Sequence, residues 1–171
     1  MPPNHERSRL GKRTAARLAA VQALYEIDVA ESAADAVLQS ALSRGSQLTE
    51  DDGGRPSGEL DVTHLRRVLG GVSDHSEKLD QDISACLSAD LALERMEAIL
   101  RAILRAGAYE LFALNDIPFK VVINEYVNIT HAFFSGKGPT MVNGVLDCLA
   151  VRFGRAEPES GPISGPCVGR A

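Results

Sequence analysis

Apolar residues recur at helical spacing along most of this chain, and no alternation of useful strand length breaks that rhythm. Leu18, Val21, Leu24 and Tyr25 form one stripe in a segment from about Lys12 to Glu31, where Ala15, Ala16, Ala19, Ala20 and Ala23 add helix propensity. A first helix is predicted there, with Tyr25 packed in the core. A weaker helix follows over Ala33 to Leu42. Residues 43–58 then hold four Gly, one Pro and the run Glu50-Asp51-Asp52, which predicts an exposed loop. Periodicity resumes near Asp61 with Leu65, Val68, Leu69 and Val72 inward. A shorter helix from Ser76 to Leu87 turns in Leu79, Ile83 and Leu87.

The strongest segment is Leu93 to Leu114, with Ile99, Ile103, Leu104, Leu111 and Leu114 on its apolar side. Ala106-Gly107-Ala108 lacks bulk, and a mid-helix Gly costs about 1 kcal/mol relative to Ala, so a second helix is expected to cross there. Asn115-Asp116-Ile117-Pro118 turns the chain. Helix returns over Phe119 to Phe133, with Val122, Tyr126, Ile129 and Phe133 in register. Ser135-Gly136-Lys137-Gly138-Pro139 is a second break. A last helix runs from about Pro139 to Phe153 with Val142, Val145, Leu149 and Phe153 inward. The expectation is an all-α fold of about seven helices. It comprises a mobile basic arm at 1–11, a helical domain at 12–153 and a disordered tail at 154–171.

Charge changes this picture locally. Eighteen Lys+Arg against 23 Asp+Glu give a formal net charge of −5, which rules out a uniformly basic histone-like protein. Residues 1–17 nevertheless carry Arg7, Arg9, Lys12, Arg13 and Arg17 against Glu6 alone, and Arg9, Arg13 and Arg17 are spaced by four. Guanidinium groups on one helical face could neutralise successive phosphates, or simply form a solvated arm. Arg101 and Arg105 repeat the spacing, with Glu97 placed to pair with Arg101. Around Lys137, backbone N–H groups of a helix start could receive a phosphate, or serve only as a helix start. A nucleotide-binding P-loop is excluded: His131 stands where the first Gly is required, and Gly138 follows Lys137 in place of Ser or Thr.

Other chemistry finds little support. His5, His64, His75 and His131 are scattered without ligand spacing, so no metal and no cofactor are expected, and no enzymatic activity. Cys86, Cys148 and Cys167 are an odd number at wide spacing, which reads as a reduced cytoplasmic protein. No secretory signal or membrane-spanning run is present.

Ile117-Pro118-Phe119-Lys120-Val121-Val122-Ile123-Asn124-Glu125, then Met141-Val142-Asn143-Gly144-Val145-Leu146-Asp147, closely resembles the NusB family of bacterial transcription antitermination factors. Ala20-Val21-Gln22-Ala23-Leu24-Tyr25, Ala102-Ile103-Leu104-Arg105 and Tyr109-Glu110-Leu111 match in order and spacing, so the likeness spans about Lys12 to Phe153. It implies two packed helical sub-bundles. It also implies binding of boxA-type ribosomal RNA leader transcripts with NusE, a ribosomal small-subunit protein, in an antitermination complex on RNA polymerase. The expected RNA-binding residues combine positions matched to the family, Lys12, Arg13, Arg17, Arg105, Thr140 and Met141, with Arg9 from the four-residue charge spacing and Lys137 from the helix-start loop. The expected partner-binding residues are Glu94, Leu100 and Arg101. Thr140 and Met141 stand where relatives often carry Lys-Phe, so a cation and a stacking ring are lost, and Leu100 replaces a frequent Glu. These departures keep a second reading open, a protein–protein adaptor with weak or no independent RNA binding. Asn124 and Asn143 are expected to tie helices together, and Gly144 to mark a helix crossing.

Overall fold

A computed structural model describes residues 4–47 and 60–156 of the chain, with the side chains of 4–10 and 44–47 outside that description. Among the described residues there are seven α-helices, one 3-10 turn and no strand. The helices are α1 (Asn4–Ala30), α2 (Ala34–Gln47), α3 (Val62–Asp74), α4 (Ser76–Cys86), α5 (Ala98–Ala113), α6 (Phe119–Phe133) and α7 (Lys137–Arg152). The 3-10 turn, Leu93–Arg95, precedes α5. The chain divides into two units, Met1–Gly71 and Val72–Ala171.

In the first unit α1 packs against α2. Small residues make close packing possible: Ala16, Ala20 and Ala23 are buried on α1 beside Val21 and Leu24, and Val37 and Ala41 are buried on α2. Helix α1 begins at Asn4, well before Lys12. Residues 4–11 contain no Pro and no β-branched side chain, and Gly11 alone weakens the run. The helix ends where Glu31 takes a left-handed φ of 47°. Asp61 organises the start of α3. Its Oδ1 accepts from the backbone N–H of His64 at 2.9 Å, an N-cap bond. Its own N–H donates to the Lys12 carbonyl at 3.3 Å, fastening this cap to α1. Of the expected loop at 43–58, residues 43–47 belong to α2, which continues to Gln47, and residues 48–58 lie outside the described residues.

In the second unit α5, α6 and α7 pack on one another, and α4 packs on α5 and α7. Leu79, Ile83, Ile103, Leu104, Leu111, Val122, Tyr126, Val142, Leu146 and Leu149 are among its buried side chains. The bulk-free patch on α5 is a crossing point, as expected: a Cβ at Gly107 would lie 2.9 Å from Leu146 Cδ2 and 3.3 Å from Tyr126 Cδ2. Buried Glu110 accepts from the Tyr126 hydroxyl at 2.7 Å, joining α5 to α6. Arg155 donates to the carbonyls of Leu111 (2.9 Å) and Ile117 (2.5 Å), closing the C-terminal end of α5. The expected tail lies outside the described residues beyond Ala156.

Several expectations are corrected. The segment from Leu93 is not one helix: Met96 (ψ 150°) and Glu97 (ψ 136°) are extended, and α5 begins only at Ala98. Arg101 holds this break, donating to the carbonyls of Met96 at 2.7 Å and Glu94 at 3.2 Å. Helix α7 starts at Lys137 rather than Pro139, because Gly136 (φ 78°) turns the chain before it. Tyr25, expected in the core, is 40% exposed, and Phe133, in register with the α6 stripe, is 43% exposed. Tyr25 sits at the edge of its stripe, and Phe133 is the last residue of α6. Gly144 is no crossing point, since nothing lies within 4 Å of its Cβ position. Asn124 and Asn143 are exposed, and Asn143 bonds Asp147 on its own helix at 2.7 Å. Cys86 and Cys148, read as separate thiols, are joined by a disulfide despite a sequence separation of 62.

Candidate nucleic-acid interface

The expected RNA-binding residues fall in both units. In the first unit, Arg9, Lys12, Arg13 and Arg17 all lie on α1, so their four-residue spacing is realised on one continuous helix. That stripe runs from surface to interior. Arg13 is 40% exposed by side chain and lies 3.5 Å from Asp61, while Lys12 is half-buried. Arg17 is 1% exposed. Among the described residues no buried side-chain nitrogen or oxygen lacks a partner, so Arg17 is satisfied inside the protein. In this structure its guanidinium is therefore turned into the protein and not displayed on the surface with Arg13. The side chain of Arg9 lies outside the described residues.

In the second unit, Lys137 and Thr140 are exposed in the first turn of α7, and Met141 is half-buried directly after them. Gly138 packs close to α6: its Cβ position is 3.1 Å from Phe134 Cβ. Exposed Phe133 lies just before this turn. It offers a ring near the Lys137 turn, where Met141 supplies none. Its sequence signal was the adjacent break at Ser135–Gly136, which ends the helix before Phe133 can be covered. Arg105 stands apart. Its Nε and Nη2 each donate at 2.8 Å to a different carboxylate oxygen of Asp80, fastening α5 to α4. The Arg105 side chain is 21% exposed and engaged by this pair.

The expected partner residues cluster in one stretch. Glu94 is exposed in the 3-10 turn, and half-buried Arg101 shapes that turn through its two carbonyl bonds. Leu100 is 9% exposed, so its side chain is largely covered.

One polar cluster escaped sequence reasoning. Asp82, on α4, accepts from Lys78 Nζ at 2.7 Å and from Arg152 Nε of α7 at 2.7 Å. Burial on its own would raise the Asp82 pKa. The hydrogen bonds and charges of Lys78 and Arg152 outweigh burial and hold the carboxyl below its ordinary value of 3.8. Lys78 Nζ also lies 5.0 Å from the Phe112 ring and 5.6 Å from that of Phe153, and the His75 ring lies tilted against Phe112 with centroids 5.4 Å apart. Among the described residues no group of three His, Cys, Asp or Glu could hold a metal ion. No helix among them is long and apolar enough to cross a membrane.

An all-helical fold with a cationic first helix and an exposed α6–α7 turn is the class of protein this geometry defines. Comparison with known proteins places it further. Residues 14–150 match the NusB family. The transcription antitermination protein NusB of Bartonella quintana is 43% identical over 140 residues, covering 81% of this chain and 88% of that protein. The transcription antitermination protein NusB of Caulobacter vibrioides is 40% identical over 143 residues, covering 84% and 95%. Among solved structures, T. maritima NusB is similar with a TM-score of 0.66 and 26% identity, over 81% of this chain and 90% of that one. A crystal structure of antitermination factors NusB and NusE in complex with dsRNA shares the fold (TM-score 0.65, 20% identity, coverage 85% and 98%). The chain belongs to the NusB family.

Proposed function

We propose that this chain acts in the cytoplasm as a transcription antitermination factor that binds boxA-type RNA of ribosomal leader transcripts jointly with NusE, on transcribing RNA polymerase. The observation that carries the reading is the family match over residues 14–150. A relative of the same fold bound to NusE and RNA adds support. The contact set we assign is Arg9, Lys12 and Arg13 of α1 for phosphates, with Lys137, Thr140, Met141 and Phe133 near the α7 start for phosphate and base. Recognition of RNA needs both kinds of contact, and stacking contributes about 1–3 kcal/mol per base. Arg17 and Arg105 hold the scaffold. Glu94 faces the protein partner, and Arg101 fixes the turn that presents it. No catalytic step is assigned to the chain.

The engagement of Arg13 with Asp61 and the loss of Lys-Phe at Thr140-Met141 favour a second reading, an adaptor that gains RNA only in the NusE complex. A gel shift with boxA RNA and a scrambled control, with and without NusE, separates the two. Shifting of boxA by the chain alone supports independent RNA binding. A shift only with NusE supports the adaptor. Equal shifting of boxA and scrambled RNA in every mixture overturns both.

A further inference from the structure

We propose that Cys86 and Cys148 form a reversible thiol–disulfide site whose reaction partner is a small-molecule disulfide of the glutathione class. Cys86 is the last residue of α4, and Cys148 lies in the C-terminal half of α7. The two are bonded, with Cα atoms 5.8 Å apart, inside the range that a disulfide spans without moving backbone. Both residues are half-buried, so neither is sealed in the core.

The surrounding register supports the pairing independently. Four residues before Cys86, Asp82 of α4 accepts from Arg152, four residues after Cys148 on α7. The helices are therefore antiparallel neighbours with two successive rungs. One is ionic, at Asp82–Arg152, and one is made by the cysteines. The ionic rung fixes the register that brings the sulfurs together, so the site is preformed in the packed helices.

The chemistry balances in two exchanges. The thiolate of one cysteine attacks the small disulfide, forms a mixed disulfide and releases one small thiol. The second cysteine attacks the mixed disulfide, closes the Cys86–Cys148 bond and releases the other. Two protein thiols are oxidised and one small disulfide is reduced to two thiols. Excess reduced thiol runs the sequence backwards, which suits a compartment where thiols are normally kept reduced. Closing the bond ties the C-terminal end of α4 to α7 and removes conformational freedom from the unfolded chain.

The test uses the full chain carrying Cys167→Ser, which takes the third thiol out of the count. Samples equilibrated over a range of reduced to oxidised glutathione ratios are alkylated and weighed by mass spectrometry, and their melting temperatures recorded. The expected result is paired loss of both alkylation sites, a tryptic peptide linking Cys86 to Cys148, and a rise in Tm of roughly 5 °C or more. Cys86→Ser and Cys148→Ser should each abolish the Tm dependence. If either variant fails to fold, peptide mapping of the Cys167→Ser chain decides alone. Two thiols that stay alkylatable under oxidising conditions, a stable glutathione adduct, or a cross-link between two chains would each overturn the proposal. RNA binding plays no part in this readout, so the outcome stands apart from that of the proposed function.

Discussion

Arg105 and Asp80 meet in a two-point ion pair, with the guanidinium Nε and Nη2 each 2.8 Å from one carboxylate oxygen. They are 25 residues apart in sequence, and the pair joins α5 to α4. Paired hydrogen bonds between charged groups are stronger than neutral ones, and this pair is partly shielded from water. Arg105→Ala should therefore lower stability by about 1–3 kcal/mol in urea unfolding. RNA affinity should fall less than it does for Arg13→Glu. A larger affinity loss at Arg105 than at Arg13 would return Arg105 to the contact set.

Asp82 gives the second unit a dependence on pH. A carboxyl held below its ordinary value stabilises the folded state above that value of 3.8 and loses the contribution as pH falls through the lower, folded value. Stability should thus drop on acidification below about pH 4. Asp82→Asn should flatten that part of the profile and cost about 1–2 kcal/mol at neutral pH, read from urea midpoints at stepped pH. An unchanged profile in the variant would show that other carboxylates govern the acid limb.

Two mid-helix glycines should respond in opposite directions. Gly144 has open space at its Cβ position, so Gly144→Ala should stabilise the protein by about 0.5–1 kcal/mol through helix propensity. Gly107 faces Leu146, which is fully buried, so an added Cβ at 2.9 Å would force that side chain to shift within the core. Gly107→Ala should therefore cause a net loss of about 1 kcal/mol, overpacking outweighing propensity. Paired thermal melts measure both, and a gain at Gly107 would mean that α5, α6 and α7 pack less tightly than described.

Helix number and order were legible because each apolar stripe declares itself locally. Val122, Tyr126 and Ile129 are buried as their spacing requires, and Ala106-Gly107-Ala108 marks the crossing it suggested. What was not legible depends on partners distant in sequence. Arg101 pins Met96 and Glu97 out of the helix by bonding backbone carbonyls, which periodicity does not register. Asp80–Arg105 and Cys86–Cys148 exist only once α4, α5 and α7 are packed. For the candidate interface, spacing placed Arg9, Arg13 and Arg17 on one helix but not how deep each would sit. A four-residue step drifts around the helix by about 40°, enough to carry Arg17 from surface to core.

The account rests on cations of α1 holding RNA, and its most direct test is salt-dependent RNA binding by an Arg9→Glu, Lys12→Glu, Arg13→Glu variant, with Arg17 left intact to preserve the fold. Filter binding to boxA RNA over a range of salt, with circular dichroism to confirm folding, measures affinity and the log–log slope together. The account predicts at least a tenfold loss of affinity and a slope shallower by about 2, near 0.7 per lost phosphate contact on a single strand. A folded variant that binds boxA RNA with unchanged affinity and slope would contradict it.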